Sequence, residues 1–392
     1  MRAGKGVPIN SRKPIVWFCS SVVPIVLASF SVAKEFPLKV NDGSGLDAPW
    51  PLVASLAFPK GELRDSARIR VVSDRGEVPS QVDVAATWQD GSIRWAHAGF
   101  TASPQGNYRI EYGEVIARSP YPRPLQITGD EDGVFAIDTG AAVYRFDGGR
   151  LLPAEGSLIS AGRPVPVLSG SGSGAYLVDN SGRTARVAGS AAAIESKILK
   201  RGPARCVVKR WGWYVTSDGQ RLARAEMWFY FAQGSPYVRM THSIIFTEDT
   251  NRVWFKDYGL DFGTASGPSA VQCALGAPGQ GEIRRVAAGG GSEVHMRQYV
   301  CPHFAERESR AVIGRTEGDT ESEVCRVETA GDWAHGEYAG YGLTFVMPYL
   351  AERFPKEISF GPAGARAVLW SGRSGRELDF RPQTLVKEYY GR

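Results

Sequence analysis

Five side chains in one part of the chain are of types that transfer protons or bind anions: Arg239, His242, Lys256, Asp257 and Tyr258. Arg239 and His242 are three residues apart in a predicted strand, so strict alternation places them on opposite faces of the sheet. Tyr258 follows Lys256 and Asp257 in a predicted loop, where functional side chains often lie. Two plainer interpretations stay open: an ion pair between Arg239 and Asp257, and a half-buried, hydrogen-bonded His242.

Three tryptophans form a second group of candidate functional residues. Trp211 and Trp213 are two residues apart on a predicted strand and therefore share a face, and Trp228 is expected on a neighbouring strand. An indole ring is a flat apolar surface on which the C–H face of a sugar can stack. The alternative is that these rings belong to the core, which is where a sandwich usually places tryptophan.

The segment "ATWQDGSIRWAHAGF", residues 86–100, predicts a β-hairpin that turns at Asp90 and Gly91. Glycine tolerates a positive φ and aspartate bonds its own backbone, and both properties favour a tight turn. Alternation on either side of the turn predicts that Trp88 and Trp95 face the core. A ligand platform made of these two rings is the alternative interpretation.

Short apolar strands separated by Gly, Asp and Pro turns predict an all-β protein. We expect a small N-terminal barrel at residues 34–117 and a large antiparallel β-sandwich at 134–382. A charged, proline-rich linker is predicted at 118–133, and a C-terminal tail at 383–392.

Two glycine-rich stretches are predicted to be irregular. "GSGSG" at 170–174 has the composition of a flexible linker, and residues 287–324 are expected to form surface loops with an edge ribbon. Neither stretch has the Lys-Ser/Thr pair and following helix of a phosphate-binding loop, and the sequence has no nucleophile-elbow motif. No cofactor is therefore predicted.

Residues 1–33 have the composition of a secretory leader. Four basic residues without an acid precede the apolar stretch "IVWFCSSVVPIVLASF", and small residues at Ser31 and Ala33 predict cleavage after Ala33. A secreted or periplasmic protein is expected; an uncleaved membrane anchor is the alternative, because the apolar stretch is nearly long enough to span a bilayer. Without the leader, 42 basic residues stand against 41 acidic ones, which makes nucleic acid and membrane surfaces poor partners.

Four cysteines follow the leader: Cys206, Cys273, Cys301 and Cys325. An exported chain could join them as two disulfides in any of three pairings. Free, buried thiols are the alternative. The "CPH" motif at 301–303 could supply two metal ligands, but no second close pair accompanies it, so no metal site is predicted.

The order of several motifs resembles the exo-rhamnogalacturonan lyase/YetA-like family. "LAFPKGEL", "VPSQVDVAATWQDGSIRWAHAGF" and "YRIEYG" resemble its N-terminal RIFT barrel, and "RWGWYVTSDGQRLARAEMWFYFAQGSPYVRMTHSIIFTED" resembles its central β-sandwich. The similarity covers roughly residues 46–382. Complete members continue into an α/α toroid, so a separate toroid chain is an expected partner.

This resemblance implies β-elimination at a galacturonate of a pectic oligosaccharide. Such chemistry needs a cation on the sugar carboxylate, a base for the neighbouring proton and an acid for the leaving oxygen. The candidates for catalysis are Arg239, His242 and Tyr258, and those for substrate binding are Trp211, Trp213, Lys256 and Asp257. The competing hypotheses are a non-catalytic carbohydrate-binding or scaffold protein and a structural cell-surface protein.

Overall fold

The computed structural model describes residues 33–40, 49–104, 106–187, 194–276, 281–289, 291–299, 311–381 and 384. The predicted leader and tail lie outside the described residues, except for Ala33 and Thr384. Regular structure in the described part is almost entirely β, and its sheets are built from antiparallel pairs. The all-β prediction is confirmed.

Seven strands form the N-terminal domain, which also has a short 3-10 helix at Ser66–Arg68. They pair in the orders β1-β7-β3-β4 and β2-β6-β5, and their apolar faces enclose one core that includes Leu56, Ile69, Phe100 and Ile110. Two small sheets around a shared core make the barrel. The strands are β1 (Lys34–Leu38), β2 (Trp50–Ala57), β3 (Ile69–Ser73), β4 (Gly76–Val78), β5 (Ser80–Thr87), β6 (Ile93–Ala102) and β7 (Tyr108–Tyr112).

The predicted hairpin at 86–100 is confirmed, because β5 pairs with β6 across the Asp90-Gly91 turn. Gly91 has a φ of 80°, and the Asp90 carboxylate accepts the backbone N–H of Ser92 at 3.0 Å. The prediction of a core position is wrong for Trp95, which is 42% exposed. A β-bulge that inserts Arg94 shifts the alternation, so Ala96 rather than Trp95 faces the core. Trp88 is half-buried.

Twenty further strands make up the sandwich in the described part of the chain, with a short 3-10 helix at Gly372–Ser374. They are β8 (Gln126–Gly129), β9 (Phe135–Asp138), β10 (Ala142–Phe146), β11 (Glu155–Ser160), β12 (Arg163–Asp179), β13 (Thr184–Arg186), β14 (Glu195–Arg201), β15 (Arg205–Thr216), β16 (Arg221–Ala232), β17 (Val238–Phe246), β18 (Phe255–Thr264), β19 (Ala270–Leu275), β20 (Glu282–Ala287), β21 (Glu293–Gln298), β22 (Ala311–Glu317), β23 (Thr320–Val327), β24 (Ala330–Tyr338), β25 (Tyr341–Val346), β26 (Lys356–Gly361) and β27 (Gly364–Trp370).

A large sheet runs in the order β17-β16-β15-β13-β12-β18-β27-β26-β21-β22-β23, with β14 beside β15 and β8 to β11 branching from β12. Its β8–β11 branch packs back on it: the ring centroids of Phe146 and Phe229 are 5.2 Å apart. A second sheet, β20-β19-β24-β25, covers the other half, where Phe345 and Phe360 lie 5.6 Å apart. One continuous apolar core joins these layers, as expected for a large antiparallel sandwich.

Three segments predicted to be irregular contain strands. The predicted linker at 118–133 includes β8, and the stretch at 170–174 lies inside β12 as an irregularity in its pairing with β18. In the stretch 287–324, β21 is an interior strand between β26 and β22. The expectation of irregular structure is wrong for β8, β12 and β21: compositions rich in glycine, proline and charge concealed strands that backbone pairing defines.

The barrel and the sandwich meet at the start of β15. The Gln81 side-chain oxygen accepts the backbone N–H groups of Ala204 and Arg205 at 3.2 and 3.0 Å. The guanidinium of Arg205 pairs with the Asp83 carboxylate, with Nε 3.0 Å from Oδ2. A polar clamp therefore joins β5 of the barrel to β15 of the sandwich.

Candidate functional site

The structure separates two of the residues predicted to be catalytic. On β17, His242 faces the sandwich interior and Arg239 points outward, as strict alternation predicts. The guanidinium carbon of Arg239 lies 5.4 Å from the ring centroid of Tyr230 on the outer side of the sheet. Arg239 therefore does not share a reaction centre with His242, and no described carboxylate pairs with it.

His242 and Tyr258 do come together inside the sandwich. Their ring centroids are 6.3 Å apart, and the Tyr214 hydroxyl lies 3.0 Å from His242 Nε2. Burial lowers the pKa of His242 to about 4 and raises the pKa of Tyr258. Burial, and to a lesser extent Tyr258, raises the pKa of Tyr214. All three groups are thus neutral at pH 7, and a hydrogen bond joins the Tyr214 hydroxyl to the imidazole of His242.

The predicted loop around Tyr258 is wrong, because residues 255–264 form strand β18. Asp257 accepts a hydrogen bond from the Tyr176 hydroxyl at 2.9 Å, on the side of the sheet opposite Tyr258. Burial raises the pKa of Asp257 despite that bond. Lys256 is the extra residue of a bulge opposite β12, and its amine lies 3.9 Å from Glu377. The five candidates of this part of the chain are therefore spread over both faces of the sheet.

The three tryptophans share the outer face of strands β14 to β17, called here the tryptophan face. Trp211 lies directly opposite Glu226, and Lys209 opposite Trp228, so these side chains project from the same side. Trp211, Trp213 and Trp228 are half-buried, whereas the residues that alternate with them on β15 and β16 are buried in the core. The interpretation of these rings as core residues is wrong.

Cations are interleaved with the indole rings. Lys209 Nζ is 4.7 Å from the Trp228 ring centroid and 5.3 Å from that of Trp211. The Glu226 carboxylate, beside these rings, forms ion pairs with Lys209 at 2.9 Å and with Arg224 at 3.4 Å. Flat apolar rings next to ammonium and guanidinium groups can hold a sugar ring and its carboxylate together. Cations on this face include Lys197, Lys209, Arg221, Arg224 and Arg239, and its acids include Glu195 and Glu226.

Sequence reasoning missed a buried polar cluster around β21. His295 and Arg297 project from the outer face of this strand, and both are almost completely buried. Arg373 donates to His295 Nδ1 at 2.8 Å and pairs with Glu293 at 2.7 Å. Arg297 pairs with Glu321 at 2.6 Å, but its Nε and Nη1 have no hydrogen-bond partner.

The electrostatics of this cluster favour a neutral imidazole. Burial, followed by Arg373 and Arg297, lowers the pKa of His295, and burial raises the pKa of Glu357 nearby. His295 also lies over Gly314 of the neighbouring strand, where a Cβ atom would approach Nε2 to 2.3 Å. The alternate spacing of His295, Arg297 and Tyr299 in "HMRQY" was the available sequence signal.

A cleft of about 380 Å³ opens where β12 leaves its pairing with β18. Its walls are residues 170–174 together with Gly149, Arg150, Arg186 and Val187. Each arginine already has a carboxylate neighbour: Arg150 pairs with Asp147, and Arg186 lies 2.9 Å from Asp261. Both cations of the cleft wall are therefore already paired with carboxylates that lie outside its lining.

Three of the four cysteines after the leader follow the alternative of free thiols. Cys206, Cys273 and Cys325 are free thiols, and burial raises the pKa of Cys206 and Cys273 to about 12. Cys301 and the "CPH" motif lie outside the described residues. Within the described ranges, no group of three or more His, Cys, Asp and Glu side chains is arranged to hold a metal ion. No helix in that part of the chain is long and apolar enough to cross a bilayer.

Fold and site together define a two-domain all-β protein, with a small barrel clamped to a large sandwich that carries an aromatic and basic face. Residues 47–113 match the PcRGLX-like N-terminal RIFT barrel domain, and residues 156–328 match the PcRGLX-like central beta sandwich domain. Together the matches cover more than half of the chain, in the order expected of this family. The chain belongs to the PcRGLX-like, rhamnogalacturonan-lyase-like family. A comparison with curated proteins found no significant match.

Proposed function

We propose that this protein binds galacturonate-containing pectic glycans on the tryptophan face. The observation that carries the proposal is that Trp211, Trp213 and Trp228 lie half-exposed on one sheet face with Lys209 among them. Indole rings stack on the C–H faces of sugars, and Lys209 and Arg224 can pair with uronate carboxylates. Family membership supports a pectic ligand over other acidic glycans.

We expect binding without turnover by this surface. A β-elimination needs a base beside the bound uronate, and the neutral His242 and Tyr258 lie on the opposite side of the sheet. The side chains around the indole rings are lysine, arginine and ion-paired glutamate. The lysine and arginine can pair with a sugar carboxylate, whereas the ion-paired glutamate is a weak base for the neighbouring C–H bond.

Calorimetric titration with a rhamnogalacturonan tetrasaccharide tests the proposal. Trp211→Ala and Trp228→Ala should each weaken binding about tenfold, or about 1.4 kcal/mol. Trp95→Ala is the matched control, because Trp95 is an exposed tryptophan on the barrel. Equal affinities of the three variants and the wild type would overturn the proposal.

Absorbance of a new C4=C5 double bond, followed in the same samples, tests turnover. A flat trace is expected for the wild type. A steady rise that is lost in His242→Ala or Tyr258→Phe, but kept in Arg239→Ala, would place chemistry inside the sandwich and overturn binding without turnover.

We also propose that the chain is exported, with cleavage after Ala33. The proposal is supported by the basic start and the apolar stretch of residues 1–33. Expression of the full chain in a bacterium and N-terminal sequencing of the periplasmic or secreted protein test it. A first residue other than Lys34, or retention of the full chain in the membrane fraction, would contradict it.

A further inference from the structure

A second aromatic pair lies where the barrel meets the sandwich. Trp50, at the start of β2, has its ring centroid 5.1 Å from that of Tyr237, just before β17, with 34° between the ring planes. Trp50 is 43% exposed and Tyr237 is 58% exposed. These two large rings touch across the domain junction and are still exposed to solvent. They therefore form an apolar surface that a ligand can contact.

Tyr237 continues the tryptophan face toward the barrel. On β17, Arg239 and Thr241 project outward opposite Tyr230 and Trp228, and the alternation places Tyr237 on the same side. The far end of the face is Trp213, opposite Arg224. The length of the face can be measured along β16, from Arg224 opposite Trp213 to Ala232 beside Tyr237. These positions are eight residues apart, which is roughly 26 Å at the rise of a β-strand.

Positively charged side chains lie along the same face as the aromatic rings. Arg239 lies between Trp228 and Tyr237, and no carboxylate among the described residues pairs with it. Lys209 and Arg224 share one acid, Glu226. A polyanion laid along the face would therefore meet cations between its two aromatic ends.

The barrel holds its part of this surface in place. Gln81 and Asp83 bind Ala204 and Arg205 where β15 begins, and β15 is the strand that carries Trp211 and Trp213. Trp50 is thus fixed relative to the sandwich rings before any ligand arrives. A prearranged surface loses less entropy on binding than one assembled by the ligand.

We infer that Trp50 and Tyr237 form the barrel end of the glycan surface, so that the ligand is an extended acidic chain that crosses from sandwich to barrel. The inference rests on the proposed function and adds to it the length of the ligand and a role for the N-terminal domain. A disaccharide would engage one aromatic end only, whereas a dodecasaccharide would engage both.

The test compares rhamnogalacturonan disaccharide, tetrasaccharide and dodecasaccharide on the full chain. Trp50→Ala and Tyr237→Ala, one on each side of the junction, should each weaken dodecasaccharide binding about tenfold and leave tetrasaccharide binding on Trp211 unchanged. Trp95→Ala is the control, because Trp95 is similarly exposed but lies opposite Ala57, at the other end of β2 from Trp50. It should change binding of neither oligosaccharide.

The outcomes separate the two proposals. If Trp211→Ala weakens every oligosaccharide while Trp50→Ala and Tyr237→Ala behave as Trp95→Ala does, the extended surface is overturned and the proposed function stands. If Trp50→Ala weakens the tetrasaccharide as much as the dodecasaccharide, the site is compact and the inference is also wrong. If the wild type binds no oligosaccharide, the proposed function fails. Unchanged thermal unfolding of Tyr237→Ala confirms that its binding result does not reflect misfolding.

Discussion

Arg205 of the sandwich holds Asp83 of the barrel, with Nε 3.0 Å from Oδ2 and both side chains largely removed from solvent. The stem of Arg205 also lies against Gly99, where an added Cβ would come within 3.0 Å of its Cδ. One arginine therefore serves as both the ion-pair partner and the packing surface of the domain junction.

Loss of this ion pair should loosen the junction. We expect Asp83→Ala to lower the free energy of unfolding by about 2 kcal/mol, because it leaves a largely buried guanidinium without its carboxylate. Urea denaturation followed in both domains should change from one transition toward two. A double-mutant cycle with Arg205→Met, which keeps the packing stem, isolates the pair; a coupling free energy near zero would contradict this account.

His242 should make the protein sensitive to mild acid. Its pKa is lowered from 6.5 to about 4 by burial, so between these pH values the unfolded chain binds more protons than the folded one. The free energy of unfolding therefore falls as the pH falls through this window. We expect His242→Gln to flatten the pH dependence of the urea midpoint.

Tyr214→Phe is the control for that experiment. It removes the hydroxyl beside Nε2 but leaves the imidazole buried, and burial is the cause of the shift. The acid sensitivity should therefore persist in Tyr214→Phe. Its disappearance there would mean that the hydrogen bond, not desolvation, sets the pKa.

Gly314 should be intolerant of a side chain. A Cβ at this position would lie 2.3 Å from His295 Nε2, and the imidazole is held in place by Arg373. We expect Gly314→Ala to cost about 2 kcal/mol of stability, the usual size of overpacking. Gly289→Ala, at a position with open space around it, should stay within about 0.5 kcal/mol in the same thermal unfolding assay.

Arg210 is a buried cation that donates to the Ser196 hydroxyl and the Asp147 carbonyl, and we expect its packing to contribute more to stability than its charge. Its guanidinium lies 5.2 Å from the Phe146 ring centroid, its Nη1 has no hydrogen-bond partner, and burial lowers its pKa to about 10. Arg210→Ala should lose about 3 kcal/mol or more through the cavity it leaves. Arg210→Met fills that space without a desolvated charge and should change stability by less than about 1.5 kcal/mol. Equal losses in the two variants would show that the charge is essential.

Cys206 and Cys273 should resist alkylation in the native protein. Both are fully buried, and burial raises the pKa of each thiol to about 12, so almost no thiolate forms at neutral pH. Cys325 is only half-buried and should react before Cys206 and Cys273. Peptide mass spectrometry after timed iodoacetamide treatment, with and without urea, measures the order; early labelling of Cys273 would contradict it.

Local features of this fold can be predicted from the sequence, whereas the packing between distant strands cannot. The turn at Asp90-Gly91 follows from the chemistry of two residues, and the shared face of Trp211 and Trp213 follows from their spacing. Which face they share depends on the partner sheet, which lies far away in the chain. The exposure of Trp95 depends on a bulge at Arg94 that no period of two can reveal.

The candidate site shows the same division. Opposite faces for Arg239 and His242 were predictable from a spacing of three. The meeting of Tyr214, His242 and Tyr258 needed the packing of β15, β17 and β18, and the cluster at His295 needed Arg373 from the far end of the chain. Such contacts between distant residues leave no local pattern.

The tryptophan face also has a kinetic and evolutionary consequence. β15, β16 and β17 follow one another along the chain and pair in that order as a meander, so most contacts that shape the face join sequence neighbours. Contacts of this kind close short loops and form early at little entropic cost. The tryptophan face can therefore form before strands β18 to β27 pair with the rest of the sheet. Most side chains of the face, including its three tryptophans, lie within one continuous stretch, Arg205–Phe246, and can be substituted without redesign of the rest of the sandwich.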